Sequence, residues 1–443
     1  MHILEYANYL VVIPILGFMI LIHEFGHYAV AKLLGVRVEQ FAIGFGKRLF
    51  GFRKGDTDYR INVLPLGGYV KMSGENPMDD RTGDPGEFLS HPRWHRFLIA
   101  IAGPSMNILL AIGLLTIVYM VRYEYEAVLD QPAVIGWVMP DTPAAKAGIQ
   151  ADDRIVKIDD VQNPTWEQED PKEALSANQP LNITIDRQGQ QIEKTLVPEA
   201  LGPDQIGSAG WLPKEPNVSI TEIEPNMPAE KAGLKIGDEI VELDGQPIPV
   251  LEVMIEKLKV TKDKPIAITV LRDHQPMTFT VQPVLADTGL GEQRYRVGIA
   301  SRPMKSVSLP FPQAFQRSLE RNKEGSLLIL ELIKKMLQHK ISMRAISGPI
   351  GIGRAAGDAA AKKGWTPLME LTSAISLNLG IFNLLPIPIM DGGVILLLFL
   401  ESLMGRDISL NIKERIYQAA FVFLVLFAVM VIYNDVIKTL HPI

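Results

Sequence analysis

Cysteine is missing from all 443 residues. Its absence excludes disulfides, thiolate metal sites and a cysteine nucleophile, and leaves His, Asp and Glu as metal ligands. A basic excess is missing too. Lys and Arg number 44 against 50 Asp and Glu, a net charge of −6 that gives no electrostatic footprint for nucleic acid. Charge is also scarce along long stretches, because the 47% of residues that are hydrophobic are gathered into runs.

Four of these runs are long enough to span a bilayer. They lie within 1–34, 97–121, 372–400 and 416–437. The first has the length of a signal peptide, but its leading MHILEYANY carries no Lys or Arg and no A-x-A site follows, so it reads as a retained span. The 32–96 loop bears Lys32, Arg37, Lys47, Arg48, Arg53, Lys54, Arg93 and Arg96 near its membrane ends, and the 401–415 loop bears Arg406, Lys413 and Arg415. The positive-inside rule therefore puts these two loops in the cytoplasm, with both termini and the central region outside.

That outer region repeats itself. MPDTPAAKAGIQADDRIVKIDDV (139–161) returns as EPNMPAEKAGLKIGDEIVELDGQ (224–246), with Pro143, Gly148, Asp153, Ile155 and Asp159 matched by Pro228, Gly233, Asp238, Ile240 and Asp244. Alternating stretches around each copy, LNITIDRQGQQIEKTLV and IAITVLRDHQPMTFTVQPV, read as hairpins turning at QG and HQ. Two like-built β-rich modules, 127–220 and 221–306, follow from this. The repeated run resembles bacterial PDZ domains, whose open strand edge can accept a peptide. The two copies differ at Asp152 and Asp160, which face Gly237 and Gly245, so two equivalent grooves are not expected. Beyond the modules, 312–341 is amphipathic and too charged to span, fitting either a helix lying on the membrane or a soluble connector, and 342–371 reads as a linker.

The first span contains LIHEFGHYAV at 21–30. His23 and His27 stand four apart, on one face of a helix and close enough to share a metal. Glu24, turned about 100° from His23, lies beside such a metal rather than on it, placed to take a proton from water. In a soluble chain the same pattern would serve as well for two hydrogen-bonded core histidines. Inside about 25 apolar residues, ionisable side chains point to function.

A catalytic zinc needs a third protein ligand and an open position. Among buried positions of the other spans, the second offers no charged residue and only Asn107 as a strongly polar one. The fourth offers none before Asp435, at its end. The third offers Asp391, with Glu370 and Glu401 at its margins. Asp391 is left by elimination. Gly392 and Gly393 allow close approach there, Pro386 and Pro388 break the helical ladder, and Asn378 and Asn383 stand ready for freed backbone or a visiting peptide. For Asn378, helix–helix bonding is an equal reading. The set His23, His27, Asp391 and Glu24 is one for metal-assisted hydrolysis with Zn²⁺. A transmembrane substrate must unwind to be cut. RINVLPLGGYVKMSG (60–74), β-prone and with a Gly-Gly turn, is expected to offer it a strand edge through Val63, Gly67, Gly68, Tyr69 and Val70.

HEFGH (23–27), GFGKRLFGFR (44–53), LPLGGYVKM (64–72), GPSMN (103–107), SGPIGIG (347–353) and NLLPIPIMDGG (383–393), together with the doubled module, resemble the site-2 protease family of intramembrane zinc metalloproteases along essentially the whole chain. The bacterial type with tandem extracytoplasmic PDZ domains is the nearest match. The resemblance implies a polytopic α-helical membrane protein with four transmembrane helices, a membrane-reentrant β element over 60–72 and two tandem PDZ-like domains, in a bacterial inner membrane with its active site toward the cytoplasm. It implies zinc ligands at His23, His27 and Asp391, a catalytic base at Glu24, and substrate contact or positioning by Asn383, Pro386 and Pro388. Gly103 and Asn107, in GPSMN, are support candidates. Met390 stands where the family usually has Leu, a volume-conserving change. The implied activity is regulated intramembrane proteolysis of single-pass proteins already trimmed outside, such as anti-sigma factors or remnant signal peptides, with the PDZ pair excluding untrimmed ectodomains. Two rivals remain. A membrane-anchored PDZ scaffold with a silent metal site would have no use for Glu24, and a zinc transporter would need a chain of polar residues that the spans lack.

Overall fold

The computed structural model describes residues 10–75, 83–202, 205–215, 218–287, 293–341, 348–362 and 364–440. The first residues of the first predicted span, the start of the 342–371 linker and Ser347 of SGPIGIG lie outside this set. The chain divides into two compact units. One joins 1–123, 307–331 and 347–437, and the other holds 124–306 with 332–346 and 438–443.

In the first unit, helix α1 (Val12–Leu33) buries Met19, His23, Gly26, His27 and Ala31 along one stripe, while Phe18 and Phe25 remain exposed. Strands β1 (Val38–Lys54) and β2 (Thr57–Met72) follow. Residues 40–43 of β1 pair with both 58–61 and 68–71 of β2, so two strands behave as a folded sheet with 68–72 on an edge. Gly67 and Gly68 lie inside β2 and not in a tight turn as expected. Gly67 takes φ +110, which lets the chain pass from one leg of β2 to the other. Phe45, Leu49, Phe50, Phe52, Ile61, Val63 and Leu64 are exposed, an apolar surface suited to hydrocarbon.

Helix α2 (Arg93–Val121) crosses close to α1 because Gly26 has no side chain. A Cβ there would lie 2.5 Å from the Ala102 carbonyl oxygen. Helix α3 (Phe311–Leu337) buries Ala314, Ser318 and Asn322, and Ser318 donates to the Ile112 carbonyl of α2 at 2.8 Å. The amphipathic stripe thus serves packing against a neighbouring helix, since its inner side chains are small and polar enough for close contact. Next come α4 (Pro349–Ala361) and α5 (Thr366–Asn383). From α5, Ser373 and Ser376 donate to the Ala111 and Asn107 carbonyls of α2.

The expected span 372–400 is not one helix. α5 stops at Asn383, and α6 (Asp391–Met404) starts at the expected ligand's own position, with an irregular segment between that carries Pro386 and Pro388. Proline removes donors and blocks the ladder, and only glycine fits at 393, because a Cβ there would lie 2.2 Å from the Ile387 carbonyl oxygen. Helix α7 (Leu410–Leu440) closes the unit. Three helices among the described residues, α1, α2 and α7, are long and apolar enough to cross a bilayer.

The second unit contains both repeats. Strands 154–158, 161–162, 181–187 and 190–196 form one sheet over a core that includes Ile155, Leu181, Ile185 and Trp211. The second copy pairs 218–219, 239–243, 246–247, 266–272 and 275–281 over Ile240, Leu243, Ile266 and Ile268. The same buried clasp recurs in each. Arg187 grips Asp153 at 2.6 and 2.7 Å and the Gly148 carbonyl at 2.8 Å, and Arg272 grips Asp238 at 2.7 Å and the Gly233 carbonyl at 2.8 Å. Two expectations shift. Val218 and Ile220 belong to the second core, so the boundary between modules falls before them. The second hairpin turns at Asp273 and His274, both with positive φ, one residue before the expected HQ. Asp152 adopts φ +70 where Gly237 has +94, so this difference between the copies leaves the backbone alike.

Candidate metal centre

His23 and His27, one turn apart on α1, point the same ring nitrogen toward one spot. Their Nε2 atoms are 3.2 Å apart, and the Asp391 carboxylate meets them at 3.1 and 3.4 Å. The two carboxylate distances run to different oxygens, Oδ2 toward His23 and Oδ1 toward His27, and all three separations are close to the spacing of about 3.3 Å between ligands on a tetrahedral zinc with bonds of about 2.0–2.1 Å. The three residues are the sole group of at least three such side chains among the described residues with atoms converging this way. Asp391 reaches the spot as the first residue of α6, where a helix N-terminus favours a carboxylate.

Each histidine is oriented from behind. His27 Nδ1 donates to the Ile99 carbonyl at 2.7 Å, which leaves its Nε2 free of a proton for a metal. His23 Nδ1 lies 3.1 Å from the Asn107 side-chain amide, whose Oδ1 is buried without another partner. With Nε2 turned to a metal, Nδ1 carries the proton and needs an acceptor. A half-turn of the amide brings that orphaned oxygen to it. Gly103 supplies the remaining space, because a Cβ there would stand 2.3 Å from His27 Nε2 and 2.8 Å from His23 Nε2. The two support candidates from GPSMN thus both touch the histidines.

Glu24 lies on the adjacent face, and its Oε2 accepts the Val70 N–H at 3.0 Å. That donor points outward from the free edge of β2, on the side away from β1. Gly68 keeps this leg of β2 close to β1, since a Cβ there would lie 2.7 Å from the Ala42 carbonyl oxygen. His23, Glu24, His27, Tyr69, Val70, Asn383 and Asp391 line one cavity of about 460 Å³. Not every expected residue joins them. Val63 is 47% exposed on the sheet, Pro386 is exposed, and Pro388 and Asn378 are half-buried outside the lining. Sequence reasoning missed that Arg96, Glu401, Lys413 and Tyr417 line the same cavity. Glu401, noticed only as marginal, is 1% exposed and accepts from Lys413 Nζ at 2.6 Å. The signal was a charge one helical register from an otherwise apolar run.

The donor set therefore suits zinc: two imidazoles, one carboxylate, a carboxylate beside them and a polar cavity in front. The chain is similar along 95% of its length to Protease RseP of Yersinia pestis, at 31% identity and 96% coverage of that protein. It is 29% identical to Regulator of sigma-E protease RseP of Escherichia coli over 95% of this chain and 96% of the relative. Among solved structures, the PDZ domain of the SdrC-like protein from Listeria innocua matches 19% of this chain and 92% of its own, at 22% identity and a TM-score of 0.17. The model of peptidase family M50 matches residues 11–427, and the chain belongs to that family.

Proposed function

We propose that this chain is an intramembrane zinc endopeptidase acting in regulated intramembrane proteolysis, with His23, His27 and Asp391 as metal ligands and Glu24 as the base. The observation that carries the reading is the converging triangle of these three side chains with Glu24 beside it. Family membership and the names of the relatives support the same conclusion. Zinc in such a set acts as a Lewis acid that activates water and polarises a carbonyl. The Glu24 carboxylate takes the proton from the attacking water and returns it to the leaving amine. Its bond to Val70 N–H holds it in position and marks where the β2 edge meets the reacting atoms. A substrate strand laid along 68–72 would find backbone partners there, replacing those lost when its helix unwinds. Asn383, which lines the cavity, is suited to hold one of the remaining peptide groups.

The chain crosses the bacterial inner membrane four times in this reading, the third crossing being the broken pair α5 and α6. The basic loops are cytoplasmic and the two PDZ-like modules outside, where they gate access by single-pass proteins already trimmed. The test is reconstitution in vesicles with a tagged single-span substrate. Wild type should cut it within the span. Glu24→Gln should keep its zinc and lose cleavage by roughly 10²–10⁴-fold. A variant that cuts normally would remove Glu24 from the mechanism, and a wild type that cuts nothing would favour a scaffold.

A further inference from the structure

Two N–H groups point outward from the free edge of β2, and both are taken by the protein's own carboxylates. The alternation of an antiparallel ladder fixes which they are. Ser73, the residue after β2, donates its N–H inward to the Arg37 carbonyl at 2.8 Å, and Val38 stands opposite Met72. The N–H groups of Met72 and Val70 therefore face away from β1. Val70 N–H meets Glu24 Oε2 at 3.0 Å, and Met72 N–H meets Glu75 Oε2 at 3.2 Å. Glu75 returns to the strand three residues after Met72 because Gly74 reverses the chain at φ +60. That reversal is pinned from the following segment. Phe88 N–H donates to the Ser73 carbonyl at 2.7 Å, and a Cβ on Gly74 would stand 2.8 Å from Glu87 Cβ.

Glu24 and Glu75 both line the metal cavity, but they are not equally free to move. Glu24 is half-buried on α1, whereas Glu75 is exposed. A carboxylate that leaves Met72 for water loses one hydrogen bond and regains its hydration, so the exchange costs little. Glu24 has to stay at Val70, where the chemistry needs it. An added strand gains from an edge donor only when that donor is given up to it. Met72, two residues along the edge from Val70, is the donor that an incoming carbonyl can take.

We propose that Glu75 is a positioning residue for the hydrolysis: in the resting enzyme it holds the Met72 N–H in place of a substrate carbonyl, and it yields that donor when a substrate strand adds to the edge. The strand is then registered two residues from the Val70 N–H that holds Glu24. The proposal rests on the reading of the chain as a protease that takes unwound substrate at this edge. Glu75 is no part of the ligand triangle and acts through the strand edge.

Glu75→Ala removes the occupant, and Glu75→Gln keeps an amide oxygen that accepts from Met72. Glu39→Gln is the control. Glu39 pairs with Lys71 at 2.8 Å, so this change removes a neighbouring charge and leaves the edge donors alone. Full-length proteins in vesicles would be compared by hydrogen exchange of the Met72 amide and by steady-state cleavage of a tagged single-span substrate. Glu75→Ala should speed exchange at Met72 and lower KM, each by about three- to tenfold, with kcat and zinc content held. Glu75→Gln and Glu39→Gln should stay close to wild type. Unchanged exchange in Glu75→Ala would overturn the occupancy. Faster exchange with a KM that holds or rises, or with a fall in kcat, would overturn the yielding to substrate. So would an equal fall of KM in Glu75→Gln or Glu39→Gln, because charge and not the bond would then set it. If wild type cleaves nothing, the protease reading and the substrate role fail together, and the exchange still decides whether Glu75 covers the edge.

Discussion

Replacing Gly103 by alanine adds one methyl group and changes no charge or hydrogen bond, yet it should disable the metal centre. The new Cβ would stand 2.3 Å from His27 Nε2, 2.6 Å from His27 Cε1 and 2.8 Å from His23 Nε2. An unstrained carbon–nitrogen contact needs about 3.5 Å, so the rings must retreat by about 1 Å. Neither has room to do so freely, because His27 is tied to Ile99 and His23 to Asn107. Misplacement by 1 Å near reacting groups costs about 10²-fold in rate, and a disturbed ligand shell costs about 10–100-fold in metal affinity. Gly113→Ala on the same helix is the matched control, since a Cβ there meets nothing within 4 Å, and it should stabilise α2 by up to about 1 kcal/mol. Purified variants would be compared by zinc content per chain after dialysis against graded chelator, and by cleavage of a single-span substrate. A Gly103→Ala protein that retains zinc and cuts at the wild-type rate would refute the geometry.

Three further outcomes are expected. Asn107→Leu, which removes the acceptor behind His23 at similar volume, should weaken zinc binding about 10–100-fold in chelator competition and leave the helices intact by circular dichroism. Val70→Pro deletes the N–H that meets Glu24 and roughens the strand edge, so cleavage of a helical substrate should fall far more than zinc content; equal losses would count against the edge. In the first module, burial raises the Glu173 carboxyl to about 7 from an ordinary 4.5, against bonds from Ala209 N–H and Trp211 Nε1 that lower it. The folded protein therefore binds more protons than the unfolded one between those values. This contribution is full below about pH 4.5 and is lost as pH rises through about 7, with a slope of at most about 1.4 kcal/mol per pH unit. Glu173→Gln should flatten that slope in melts followed by tryptophan fluorescence.

The parts of this molecule legible in its residues are those fixed by short-range pattern or by scarcity. His23 and His27 share a helix face through their spacing, and Asp391 could be found because hydrocarbon tolerates so few charges. The doubled run announced two modules, although Val218 crossed to the second because strand pairing, which is non-local, decides the boundary. The hidden parts depend on backbone groups and on absent atoms. No side-chain pattern signals the Ile99 carbonyl behind His27, the Val70 N–H beneath Glu24, or the Met72 N–H that Glu75 covers. The interruption between α5 and α6 was foreshadowed by Pro386 and Pro388. Its length was not, because it is set by how Gly392 and Gly393 nest against the Leu384, Leu385 and Ile387 carbonyls.

The triangle also sets a timetable. Two of its corners lie in the first span and the third some 360 residues later, after the whole of the repeated region. At synthesis rates of about 5–20 residues per second, roughly 20–70 seconds separate the emergence of His27 from that of Asp391. For that interval the nascent chain holds two histidines and a glutamate in the bilayer without the carboxylate that completes them. With the proposed ligand set, a hydrolase assembled in this order stays inert until most of its own sequence has been made.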